Sequence, residues 1–244
     1  MQPLRTYLEG LGMLPPVRPE AVLVVSAHWE APVPTVQTAS HPSMLYDYYG
    51  FPPEAYEIQW PAPGAPQVAA AVREHLDKAG IRSADDAERG FDHGTFVVTG
   101  LAYPQADIPT FQLSLQQGLD PATHLAIGRA LAPLRDQGVL ILGSGLSYHN
   151  MQGFRAAMSG GLASVVDDSR AFDGWLAESM ALEASRRETQ LVEWAQAPRA
   201  RACHPREEHL LPLMVVAGAG GEDAASLPFR GDVMGLATSA VQFG

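Results

Sequence analysis

Residues 21–30 read AVLVVSAHWE. An uninterrupted apolar run leads into Ser26, Ala27, His28, Trp29 and Glu30, and the Pro-rich segment PPVRPE bounds it upstream. A continuous apolar run of this kind, over 21–27, has the pattern of a strand buried on both faces. Such strands lie inside parallel sheets with helices on either side. The polar cluster at its end points to chemistry, because ligands in open α/β sheets gather beyond the carboxyl ends of the strands.

On both sides of this run, helical and strand patterns alternate. LRTYLEGLGM reads as a short amphipathic helix and residues 35–38 as a short strand. Residues 41–64 carry Tyr, Pro and Gly without a clean period and read as a long, aromatic, functional loop. APQVAAAVREHLDKAG is a helix with Pro66 near its start and Gly80 just past its end. TFVVTGLAYP reads as a buried helix, although its β-branched residues leave a strand open. DIPTFQLSL and VLILGSG are strands. Between them DPATHLAIGRALAPLRDQG is a helix with Asp120 as N-cap and Pro121 at the first position. Residues 163–197 read as helical, PREEHLLPLMVVAGAG as a helix starting near Pro205, and VMGLATSAVQFG as a closing strand. This alternation predicts one α/β domain built as a three-layer sandwich, with a mostly parallel or mixed central sheet between helices.

The chain has 244 residues, 46% of them hydrophobic, enough for a sizeable core. Its formal net charge of −11, with no basic stripe, argues against a nucleic-acid partner. No apolar run approaches the ~20 residues that span a bilayer, and MQPLRTYLEG lacks the pattern of a secretory signal. A cytoplasmic protein without a membrane partner is expected. The single cysteine, Cys203, excludes an internal disulfide and a cysteine-based zinc motif. Phosphate-loop, dinucleotide and G-x-S-x-G signatures are absent from the sequence.

Of eight histidines, four occupy suggestive places: His28 at a strand end, His93 in GFDHG, His149 in SGLSYHN and His209 in PREEHLLP. Imidazole serves both as metal ligand and as acid–base group near neutral pH. No two have the close spacing of a helical zinc motif, so any site is assembled from distant segments. His28 and His149 each follow an apolar strand, and parallel neighbours deliver both to one sheet edge. A helix opening near Pro205 projects His209 towards the same edge. Glu207 and Glu208 read as residues serving that helix's dipole. His41, His75, His124 and His204 read as bystanders, with His75 and His124 at surface or boundary positions.

VVSAHWE, YDYYGFPPEAYEIQWPAPG, GFDHGTF, DIPTFQLSL, SGLSYHN and EEHLLPL together resemble the class III extradiol ring-cleaving dioxygenases of the LigB superfamily, the family that includes bacterial and plant 4,5-DOPA extradiol dioxygenases. The resemblance runs in the same order over nearly the whole chain. It implies a single catalytic domain over residues 1–244 that splits a catechol-type small molecule with O₂. It also implies a non-haem metal at one sheet edge, Fe(II) for activity or zinc as in some members. By motif match, His28 and His209 look like metal ligands. His149 looks like a further ligand or an acid–base residue. His93 looks like a catalytic residue that hydrogen-bonds the substrate hydroxyl or an oxygen-derived intermediate, with Asp92 fixing its tautomer if the fold brings that carboxylate to the ring. Trp29 and the aromatic loop, Tyr48 within it, would clamp a flat ring. The family also carries an HGSP-type segment after a first strand, whose histidine is another ligand; this chain is expected to lack both. An open sheet edge would then invite association, so a homo-oligomer is one expected outcome. The other readings are a non-catalytic zinc-binding relative and, more weakly, a metal-dependent hydrolase.

Overall fold

The computed structural model describes residues 2–160 and 163–244. Strand β1 (Ala21–Ala31) is apolar on both faces because it has neighbours on both edges and helices above and below. It pairs in parallel with β4 (Thr110–Gln116) and with β5 (Val139–Ser144). Two short strands, β2 (Thr35–Gln37) and β3 (Ala84–Asp86), extend the far side and give the order β3-β2-β4-β1-β5. Only the β2–β4 pairing is antiparallel, so the sheet is mixed.

Leu23 and Val25, with Phe111, Leu113 and Leu115, face one side of the sheet, which α2 (Pro66–Lys78), α4 (Pro121–Leu131) and α9 (Leu211–Gly220) cover. Val22, Val24 and Ile108 face the other side, where α3 (His93–Ala102) packs on β1 with α1 (Gln2–Gly10) beside it. This is the expected three-layer arrangement. Helix α4 begins as its sequence predicts: Asp120 accepts from the Thr123 N–H at 2.7 Å, and Pro121 occupies the first turn. The ambiguous TFVVTGLAYP segment is helical. Its helix opens on Asp92, whose side chain accepts from the Thr95 N–H.

Several expectations are corrected. Strand β1 does not end at Ala27 but continues to Ala31. Residues 163–197 form two helices, α6 (Ala163–Met180) and α7 (Ala184–Val192), and the preceding α5 (Met151–Met158) is capped by Asn150. The short α8 (Ala200–Cys203) follows. Helix α9 starts at Leu211, with Pro212 in its first turn, so 205–210 is a turn and not helix. The closing segment is a hairpin, β6 (Ala225–Val233) and β7 (Leu236–Phe243). Met234 and Gly235 between them both have positive φ, as a two-residue hairpin turn requires. A cleft of about 810 Å³ runs along β5 and reaches Ser144, Gly145 and His209 at one end. Among the described residues no helix is long and apolar enough to cross a membrane.

Candidate functional site

The register of β1 against β4 sets the site. Ser26 pairs with Ser114, and the next pair is Glu30 with Leu115. Ala27, His28 and Trp29 therefore lie outside the ladder, and this bulge turns His28 out at the carboxyl end of the sheet. His28 thus stands inside a strand and not after one. His93 is the first residue of α3, His149 lies between β5 and α5, and His209 lies in the turn before α9.

These segments bring four imidazoles together. Ring centroids of His28 and His93 are 3.9 Å apart, and those of His28 and His209 are 4.9 Å apart at 85°. His149 stacks on His209 at 3.4 Å and 12°. Two carboxylates flank the group. Asp47 Oδ1 is 2.7 Å from His93 Nδ1, and Asp47 Oδ2 is 3.6 Å from His28 Nδ1. Glu208 Oε1 accepts from His209 Nδ1 at 3.0 Å and lies 3.5 Å from His149 Nδ1.

Burial depresses the basicity of His28 and His149. Desolvation, reinforced by His93 and His209, takes His28 down to about 3. Desolvation and the neighbouring His209 take His149 to about 4. Both rings are therefore neutral at pH 7, the form that binds metals. Asp47 goes the other way: burial pushes its carboxyl up, but hydrogen bonds from the His93 ring and backbone win and hold it at about 2. Glu208 is also held at about 2, chiefly by its hydrogen bond from His209.

Asp92 does not touch the His93 ring. It is fully buried beneath the site, and Asp47 takes the position expected of it. The sequence signal for Asp47 is a lone acid in the aromatic segment YDYYG; Glu208 adjoins a singled-out histidine but has the sequence pattern of a helix-dipole residue. Tyr48 stands edge-on to His93 at 5.4 Å, backed by Phe51 and Tyr56, and its hydroxyl donates to the Ala55 carbonyl. Trp29 is buried, with the Arg89 guanidinium over its ring at 4.4 Å. His41 and His75 are not among the clustered rings. His124 is buried and not at the surface: its Nε2 accepts from the Gln116 N–H and its Nδ1 donates to the Asp120 carbonyl. His204 is buried behind the cluster, its Nε2 on the Ser147 carbonyl.

The profile of the catalytic LigB subunit of aromatic ring-opening dioxygenase matches residues 12–239. A protein of Portulaca grandiflora named 4,5-DOPA dioxygenase extradiol is 43% identical over 217 residues, 88% of this chain and 78% of that one. The protein of the same name from Escherichia coli is 35% identical, covering 97% of this chain and 86% of its own length. A crystal structure of an uncharacterized protein from Escherichia coli K12 superposes with a TM-score of 0.81 at 34% identity, covering 98% of this chain and 92% of the other.

Proposed function

The chain belongs to the LigB family of aromatic ring-opening dioxygenases, and from that premise we propose that it is a metal-dependent extradiol dioxygenase acting on a catechol-type small molecule with O₂. One observation carries the reading: four histidine rings converge at the carboxyl end of the sheet, with carboxylates set against their Nδ1 atoms. Neutral imidazoles with carboxylate partners on the far nitrogen form a donor set suited to Fe(II) or zinc.

His28 and His209 are the ligands in this reading. The His209 Nδ1–H donates to Glu208, which leaves Nε2 as the donor atom. His149 is a second acid–base residue beside His93 rather than a third ligand. Rings stacked at 3.4 Å and 12° aim their in-plane lone pairs side by side, not at one point. Fe(II) when bound supplies Lewis acidity towards the catechol hydroxyls and redox chemistry towards O₂, the second of which zinc does not.

The remaining work falls to the chain itself. Asp47 takes the hydrogen bond of the His93 Nδ1–H and so leaves His93 Nε2 free to accept a catechol proton. Tyr48, edge-on to His93, gives the flat ring an aromatic wall. Trp29 does not serve as the clamp, because Arg89 already covers its face.

The test is anaerobic loading with Fe(II), then catechol and O₂, watching for a yellow ring-opened semialdehyde. Product formation with Fe(II) but not with zinc is expected. No product from a protein that retains stoichiometric zinc would replace this reading with that of a non-catalytic zinc-binding relative.

A further inference from the structure

The bulge that presents His28 removes its main chain from the β1–β4 ladder. A buried peptide N–H and C=O released in this way need other partners. The His28 N–H donates to Ser26 Oγ at 3.2 Å, and the His28 carbonyl accepts from Arg89 Nη2 at 3.3 Å. Both partners lead to one oxygen. Ser26 Oγ donates to Asp92 Oδ2 at 2.8 Å, and Arg89 Nη2 donates to the same atom at 2.9 Å. Gln112 Nε2, from β4, donates to it as well at 3.1 Å.

The other oxygen of Asp92 has a different task. Oδ1 accepts from the Thr95 N–H at 3.1 Å and from Thr95 Oγ1 at 3.2 Å, which caps α3. That helix begins with His93. Arg89 is itself fixed between Asp92 and the face of Trp29. A single fully buried carboxylate therefore reaches the main chain on both sides of His28 and also starts the helix that carries His93.

We propose that Asp92 is the positioning residue that fixes the spacing of the His28 and His93 rings, through Ser26 and Arg89 on one oxygen and the α3 cap on the other. It touches neither ring. Its part in function rests on the reading of His28 as a ligand and His93 as a proton acceptor, but the ring spacing is measurable without that reading.

Asp92→Asn keeps the size and the capping ability of the side chain and loses the charge that holds Arg89. In that variant, helix content by circular dichroism stays at the wild-type level. The nuclear Overhauser contact between the His28 and His93 rings disappears, and zinc affinity, measured by competition with a chromophoric chelator, falls about tenfold to a hundredfold. Thr95→Ala removes only the hydroxyl partner of Asp92 Oδ1 and keeps the capping N–H, so it weakens ring contact and zinc affinity less than Asp92→Asn does. Should Asp92→Asn not fold, Ser26→Ala cuts only the link to the His28 N–H and weakens ring contact and affinity in the same direction by a smaller factor. An unchanged ring contact in folded Asp92→Asn, or in Ser26→Ala if Asp92→Asn does not fold, overturns the proposal. A wild-type protein that binds no zinc overturns the metal reading while leaving the ring-contact measurement to decide this one.

Discussion

Asp47 Oδ1 accepts two hydrogen bonds from one residue, from His93 Nδ1 at 2.7 Å and from the His93 main-chain N–H at 3.0 Å. The pair fixes both the ring and the start of the helix that carries it. A loop residue with no periodic signal around it thereby sets the tautomer of a histidine far along the chain. Asp47→Ala should lower kcat about tenfold to a hundredfold with bound metal retained. Asp47→Asn, whose amide oxygen can still accept from Nδ1–H, should lose less. Equal kcat in wild type and Asp47→Ala would show that His93 is oriented by something else.

His93→Ala should keep its metal and lose about a hundredfold or more in turnover, the scale of a lost acid–base group. Metal content by atomic emission and single-turnover rates separate the two effects. Metal loss in this variant, with full activity after reconstitution, would make His93 a ligand and not a proton acceptor.

His28→Ala and His209→Ala should each strip the metal. His41→Ala should not, since that side chain lies on the exposed surface with its Nδ1 against the Ser40 hydroxyl. His124→Ala should also keep metal, but it leaves the Gln116 N–H without its partner inside the core. A loss of about 1–3 kcal/mol of stability is expected there. Metal analysis alongside thermal melts separates the pairs, and retention of full metal by His28→Ala would remove that residue from the ligand set.

The sheet was legible because β1 is buried on both faces and a continuous apolar run records that directly, while the edge strand β5 keeps an apolar run although its middle is half-buried and β4 alternates apolar and polar residues. The bulge at Ala27–Trp29 was not, because it arises from pairing with β4, and no periodicity within β1 encodes a neighbour's register. The hairpin was half visible. Strand β6 alternates exposed and half-buried positions and contains Pro228, which reads against a strand. Four histidines stood out by residue type and by their place at the ends of elements. Their carboxylate partners did not: Asp47 sits in a segment without regular structure, and Glu208 reads equally well as a helix-terminus acid until α9 is seen to begin only at Leu211.

The cluster should make the metal-free protein acid-sensitive. His28 is held at about 3, and His149 and His204 at about 4, all mainly by burial, against about 6.5 in the unfolded chain. Below pH 6.5 the unfolded chain takes up protons that the fold refuses, so stability falls as pH drops from about 6.5 towards about 4. Asp47 and Glu208, held at about 2, extend the loss below pH 4 in the same direction. Each histidine contributes at most about 1.4 kcal/mol per pH unit, and mutual coupling reduces the sum. Between pH 7 and 5, Tm should drop by about 5–10 °C. A flat Tm over that interval would mean that the rings are already protonated or are solvated in the fold.

Gly94 is the second residue of α3, and a Cβ built there would lie 2.9 Å from His28 Cδ2 and 3.2 Å from both Ser26 Oγ and Ser144 Oγ. The helix backbone and the His28 ring can approach this closely only because no side chain intervenes. Replacing Gly94 with Ala has two opposed effects. The helix gains up to about 1 kcal/mol from alanine's better propensity, less at this first turn. The His28 ring must give way, and Ser26, which holds its main chain, is crowded at the same time. Global stability should therefore change little, because the displaced ring is half-buried at the sheet edge and not in the core. The site should change more: a ligand nitrogen moved by a few tenths of an ångström weakens binding without unfolding anything. Gly94→Ala is expected to keep its Tm within a few degrees of wild type and to lose about tenfold or more in metal affinity, the scale seen when a ligand's supporting contacts are disturbed. Wild-type affinity in Gly94→Ala would show that the His28 ring has room to spare, and that its contact with α3 does not set where it points.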